Sequence, residues 1–166
     1  MYPYNDMFDS SCAGWIVTVL SDFNEQNKAI AEQNMKLEVK ETLDKIVDLL
    51  RPDYIQGLTL TGGDPLLPEN REVIEKIVHR VWTEFLSKKD VWLWTGYKWE
   101  ELWNQNGLVS DILADINVLV DGPFIESEKD ISLPYMGSKN QRVIDIKWSL
   151  GYKEPTLWWT PEKKGK

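Results

Sequence analysis

The sequence predicts an α/β protein built on an open, mainly parallel sheet, and three observations carry that prediction. Short β-branched and apolar runs recur at 14–20, 55–60, 90–97 and 116–122, amphipathic stretches of helical period lie between them, and most of the runs stop at a turn containing glycine. Strands alternating with helices imply parallel pairing through right-handed crossovers. At 166 residues, without tandem repeats or a low-complexity linker, residues 1–166 read as a single domain.

The first run, GWIVTVL at 14–20, is apolar enough for a strand buried on both faces. The next stretch, SDFNEQNKAIAEQNM at 21–35, is polar and only weakly amphipathic around Ala29, Ile30 and Ala31, and reads as a loop or a short exposed helix. LEVKETLDKIVDLLR at 37–51 sets Leu43, Ile46, Val47 and Leu50 at helical spacing, the pattern of a helix packed on a sheet, and Pro52 ends it. IQGLTL at 55–60 is the second strand, bounded by glycine and proline. PENREVIEKIVHRVWTEFL at 68–86 then lines up Val73, Ile74, Ile77, Val78, Val81 and Phe85 in one apolar stripe, completing a βα unit. DVWLWTGY at 90–97 is a third strand, and short helices over 98–104 and 108–114 lead to the fourth, INVLVDG at 116–122. Beyond Asp121 the chain reads as irregular, with one strand-like run at 143–146 and a tail, EPTLWWTPEKKGK, whose basic end is expected to be mobile.

A net charge of -8 and a pI near 4.7 argue against a nucleic-acid partner, whose phosphates call for clustered Lys and Arg. The opening MYPYNDMFDSS lacks a basic and apolar leader, and no window reaches the length of a membrane span, so a soluble, cytoplasmic protein with no membrane partner is expected. The single cysteine, Cys12, excludes an intramolecular disulfide and leaves no CxxC pair for zinc or redox chemistry. Many of the nine tryptophans fall on core strands, and others are available for an exposed patch facing a partner.

Ligands of parallel α/β sheets gather beyond the carboxyl ends of the strands. The residues there are Ser21-Asp22, TGGDP at 61–65, TGY at 95–97 and DGP at 121–123. Two acids, Asp64 and Asp121, would share one rim with glycine turns that let a ligand lie against the backbone. A small-molecule cleft and a set of plain strand-to-helix turns both account for this pattern. His79 has no second histidine or cysteine near it in the sequence and reads as a surface or capping residue. GxSxG, HExxH and Walker motifs are absent, and Glu100, Glu101, Glu126 and Glu128 read as solvated charge.

Four separated segments, IQGLTLTGGDPL at 55–66, KDVWLWTGYKWEEL at 89–102, INVLVDGPF at 116–124 and DISLPYMGSKNQR at 130–142, together resemble the anaerobic ribonucleoside-triphosphate reductase activating proteins. The resemblance covers about residues 36–142, leaving 143–166 as a C-terminal extension. It implies a fold of the truncated radical S-adenosylmethionine (SAM) type, a partial (β/α) barrel. It also implies a [4Fe–4S] cluster whose open iron chelates SAM, a 5′-deoxyadenosyl radical that takes hydrogen from a glycine, and the large subunit of the reductase as partner. By that resemblance Gly62, Gly63 and Asp64 would line the SAM amino-group site, Thr95, Gly96 and Asp121 would lie on the same rim, and Gly137, Ser138, Asn140 and Gln141 would form the C-terminal motif.

The chain departs from the family at one decisive place. A CxxxCxxC motif is expected just after the first strand, because three thiolates must hold the cluster when SAM fills the fourth position. Here that place is SDFNEQNKAIAEQNM, and Cys12 lies before the strand instead. Carboxylates and amides do not replace soft sulfur donors on such a cluster. The family's cofactor is therefore not supported by this sequence, and catalysis is not expected. A cluster-less regulator, decoy or adaptor that keeps the fold, and SAM or the reductase as a binding partner, is the competing reading. A rearranged version of the chain, its cluster segment replaced, is a third.

Overall fold

The computed structural model describes residues 31–160, with side chains from residue 39 onward. The run at 14–20, Cys12 and the basic end of the tail lie outside the described residues.

Helix α1 spans Ala31–Leu50, β1 Gly57–Leu60, α2 Arg71–Phe85, β2 Asp90–Trp94, α3 Trp99–Leu102, α4 Leu108–Asp115, β3 Val118–Asp121, β4 Arg142–Asp145 and α5 Ile146–Tyr152. The described strands form one open sheet in the order β1-β2-β3-β4, with the first three parallel and β4 antiparallel to β3. The α/β class and the mainly parallel sheet are thus as the periodicity predicts. Helix α1 covers Ala31 onward, within the stretch that reads as loop or short helix; after Asp121 the expected strand-like run at 143–146 is β4, at Arg142–Asp145, and a helix, α5, follows it where irregular chain is expected.

Register decides which side chains meet the helices. One row runs Leu60, Leu93, Leu119 and Ile144 across all four strands, with Leu58 opposite Val91 beside it. These residues form the main core with Ile46 and Leu50 of α1, Ile74, Ile77, Val78 and Val81 of α2, and Val109, Ile112 and Leu113 of α4. A one-residue slip would turn every one of these side chains to the other face. The helical stripe therefore follows the sequence pattern, with Leu43, Val73 and Phe85 partly buried at its margin.

Among the described residues, no helix packs on the other face. Val118, Val120 and Val143 are covered there by Met136, Leu133, Tyr135 and Trp159, with Trp92 and Trp94 packed alongside. Trp92 meets Tyr135 at 5.0 Å and Trp158 edge-on at 4.7 Å between ring centroids. The tail is stitched to the edge of β4, where Asp145 N–H donates to the Thr156 carbonyl at 2.9 Å and Trp158 N–H to the Val143 carbonyl at 2.8 Å. Among the described residues, aromatic side chains, mostly tryptophans, cover the face that a second helical layer fills in other parallel sheets.

Gly57 explains why β1 starts where it does. A Cβ on Gly57 would lie 1.9 Å from the Asp90 carbonyl oxygen, so only glycine lets β1 approach β2 at that register. Buried Lys89 reinforces this end, its Nζ donating to the carbonyls of Pro52 at 2.9 Å and Ile55 at 2.5 Å. No helix among the described residues is long and apolar enough to cross a membrane.

Candidate functional site

Because β1, β2 and β3 are parallel, their carboxyl ends lie along one edge of the sheet, followed by the loops at 61–65, 95–97 and 121–123. Gly62 takes φ of +110°, which side-chain-bearing residues rarely adopt, and this turns the chain sharply out of β1. Gly62 and Gly63 are exposed, while Asp64 is partly buried.

Asp64 links the β1 loop to the β2 loop. Its Oδ1 accepts from the Leu66 N–H at 2.9 Å and from the Thr95 hydroxyl at 2.8 Å, and its Oδ2 accepts from the Gly96 N–H at 2.9 Å. Buried Thr95 also accepts from the Tyr97 N–H at 3.2 Å, and its own N–H donates to the Val120 carbonyl at 3.0 Å. Asn70 closes the loop behind, donating its side-chain amide to the Asp64 carbonyl at 2.9 Å.

Asp121 stands at the end of β3 and is only 1% exposed. Its Oδ2 accepts from the Trp99 N–H at 2.7 Å, and Arg142 of β4 donates through Nε to Oδ1 at 3.0 Å and through Nη2 to Oδ2. The same guanidinium donates through Nη1 and Nη2 to the two carboxylate oxygens of Glu100, both at 2.9 Å. Glu100 is therefore not free solvated charge: the hydrogen bonds from Arg142 pull its carboxyl down to about 2. Arg142 in turn is held above its ordinary value by Asp121 first and Glu100 second. Glu101 is also engaged, its Oε2 accepting from the Lys98 N–H at 2.7 Å.

Residues 137–141 fold back onto the loop after β3. The side-chain oxygen of Gln141 accepts from the Gly137 N–H at 2.8 Å while its amide donates to the Gly122 carbonyl at 2.9 Å. Asn140 donates to the Pro123 carbonyl at 2.7 Å, and the buried Ser138 hydroxyl accepts from the Ile125 N–H at 3.2 Å. Gly122 N–H donates to the Tyr97 carbonyl at 2.9 Å, so this motif also bears on the central loop.

The structure thus brings Gly62, Gly63, Asp64, Thr95 and Gly96 into one patch, and Asp121 reaches the same central loop from below the surface. His79 is elsewhere, on α2, with Nδ1 2.9 Å from Asp115 Oδ2. Arg142 and Glu100 are the site residues that reading the sequence does not find. Their only signal is indirect, since an acid as apolar-flanked as Asp121 in NVLVDG needs a cation brought to it from elsewhere.

Among the described residues, no group of three or more His, Cys, Asp or Glu side chains could hold a metal ion. The chain has one cysteine, Cys12, where an iron–sulfur cluster of this kind takes three thiolates. The donor set does not fit that cluster, and even two copies of the chain would bring two thiols.

A family model for the 4Fe-4S single cluster domain matches residues 12–144. The chain is similar to the anaerobic ribonucleoside-triphosphate reductase-activating protein of Enterobacteria phage T4, 40% identical over 111 residues, which are 67% of each chain. It is 46% identical over 106 residues to the protein of that name from Escherichia coli K12, covering 63% of this chain and 66% of the relative. The Haemophilus influenzae protein is 50% identical over 92 residues, 55% of this chain and 57% of its own length. No solved structure matches.

Proposed function

The chain belongs to the anaerobic ribonucleoside-triphosphate reductase-activating protein family, and from that premise we propose that it is a non-catalytic member that binds the reductase as a regulator, decoy or adaptor. One observation carries this reading: a single cysteine in 166 residues, against the three thiolates needed to bind a SAM-chelating cluster. Without the cluster no electron reaches the sulfonium of SAM, and no radical forms on this protein. The family model's match, residues 12–144, spans the strands of the described sheet up to Ile144 and the loops at their carboxyl ends. Binding, rather than chemistry, is the activity those parts can still support. On this reading the protein works in the cytoplasm.

A second reading is favoured by the loops gathered at the carboxyl ends of three parallel strands, the usual place for a small ligand in such sheets. On that reading SAM binds the rim at Gly62, Gly63, Asp64, Thr95, Gly96 and Asp121 without being cleaved.

Two anaerobic binding measurements test these readings. Titration of the labelled chain with the large subunit of the anaerobic reductase is expected to give a saturable complex, and no glycyl radical signal. Absence of any complex would remove the adaptor reading. Equilibrium dialysis against radiolabelled SAM is expected to show binding without release of 5′-deoxyadenosine if the second reading holds, and none if it does not.

A further inference from the structure

We propose that the outer face of α5 is the surface through which this protein docks on the large subunit of the anaerobic reductase, and that the partner's face there is apolar with acidic side chains at its edge. The proposal rests on the adaptor reading above and names the surface that such a reading needs.

Helix α5 buries only Ile146 and Ser149, one turn apart on its inner side. The opposite stripe is Lys147, Trp148, Gly151 and Tyr152, all exposed. A surface helix ordinarily turns polar residues outward. Here Trp148 and Tyr152 are 56% and 67% exposed and stack on each other, with ring centroids 5.9 Å apart and planes 10° from parallel. Such rings offer much contact area at little rotamer cost, and gathered on a surface they mark a contact site. Gly151 sits on the same stripe. It takes no positive φ, and a Cβ built on it would meet nothing within 4 Å. Neither the backbone nor the packing within the chain calls for glycine there, although glycine costs a helix about 1 kcal/mol relative to alanine. A partner that approaches the helix backbone closely does call for it.

The face is also fixed from behind. The Asp145 carboxylate caps α5, accepting from the Trp148 N–H at 3.1 Å, and the buried Ser149 hydroxyl donates to the Asp145 carbonyl at 2.5 Å and accepts from the Thr156 N–H at 2.8 Å. A surface ordered in advance loses little freedom on binding. Charge selects the occupant. Lys147 and Lys153 stand at the two ends of the stripe with no acid between them, and residues 142–166 hold six Lys and Arg against three Asp and Glu, in a chain of net charge -8. An apolar partner face edged with acids fits this end of the molecule. Helix α5 lies past residue 144, where the family model's match ends, so this surface is not part of the matched region.

Gly151→Gln separates docking from folding, because it puts a good helix former into open space on the contact face. Its melting temperature should equal or exceed that of the parent, while its affinity for the large subunit, titrated anaerobically with the labelled full chain, should fall about tenfold or more. Trp148→Ser and Tyr152→Ser should each weaken the complex by a similar factor. The parent complex should loosen as salt rises, and Lys147→Glu with Lys153→Glu should weaken it further and flatten that salt dependence. A parent complex whose affinity is unaltered in Gly151→Gln, Trp148→Ser and Tyr152→Ser would overturn the proposal and leave the adaptor reading standing. No complex with the parent would overturn both. Self-association in sedimentation velocity, or pelleting with phosphatidylserine vesicles, that is lost in Gly151→Gln while the large-subunit affinity is kept would assign the face to a second copy or to a membrane and also overturn it.

Discussion

Arg142 and Asp121 stand directly opposite each other across the antiparallel pair β3–β4, and their side chains close a two-point ion pair over that register. Asp121 is 1% exposed, so its charge has no water to fall back on. Arg142→Met should cost about 3–5 kcal/mol in denaturant unfolding, because it leaves a buried carboxylate unpaired. The same substitution in an Asp121→Asn background should cost clearly less, with a coupling of about 1 kcal/mol or more. Equal costs in the two backgrounds would mean that the pair does not stabilise the fold.

Glu100 gives the pair a pH dependence. Its folded value of about 2 lies below the ordinary 4.5, so its stabilising contribution is complete above about 4.5 and is lost as pH falls toward 2. Arg142 stays charged throughout that window. The Glu100 side chain is 55% exposed, and salt will therefore screen much of the effect. An NMR titration of the Glu100 carboxyl should show a depressed midpoint that moves up with added salt. In Glu100→Gln, the dependence of melting temperature on pH below 4.5 should be shallower.

Gly57→Ala tests the close approach of β1 to β2. With the Asp90 carbonyl oxygen 1.9 Å from the added Cβ, both contacting groups are backbone and neither can swing away. The variant should lose about 3 kcal/mol or more in chemical denaturation, at or above the top of the usual range for overpacking. A near-neutral result would contradict the register of β1 on β2.

Trp158→Ala tests the aromatic layer. The substitution removes the edge-on contact with Trp92 and the contact with Tyr135, and should cost about 1–2 kcal/mol together with near-UV circular dichroism intensity. Ile131→Ala, at a side chain 75% exposed, should stay within about 0.5 kcal/mol of the parent.

How much of this was legible in the sequence depends on how far apart the interacting residues are. The stripe of Ile74, Ile77, Val78 and Val81 announces α2 because the spacing itself is the cause of burial. The rim was legible too, since TGGDP, TGY and DGP each follow an apolar run directly. The helix over 31–36 was legible only as one of two alternatives, because the polar residues after Ala31 carry no apolar period even though Ala, Glu, Gln and Met favour helix. Four residues of β4 could not disclose an antiparallel direction. Arg142 was illegible for a different reason: its partners lie 21 and 42 residues away, and in NQRVIDI it looks like ordinary surface charge. Without that arginine in view, Glu100 reads as solvated and Asp121 as free to meet a ligand.

The most direct test of the account is an iron and sulfide count on the purified chain after anaerobic reconstitution. One cysteine cannot support the cluster, so the account predicts substoichiometric iron, no broad absorbance near about 400 nm and no 5′-deoxyadenosine when SAM and a reductant are added. About four irons per chain, with that absorbance and cleavage of SAM, would contradict it.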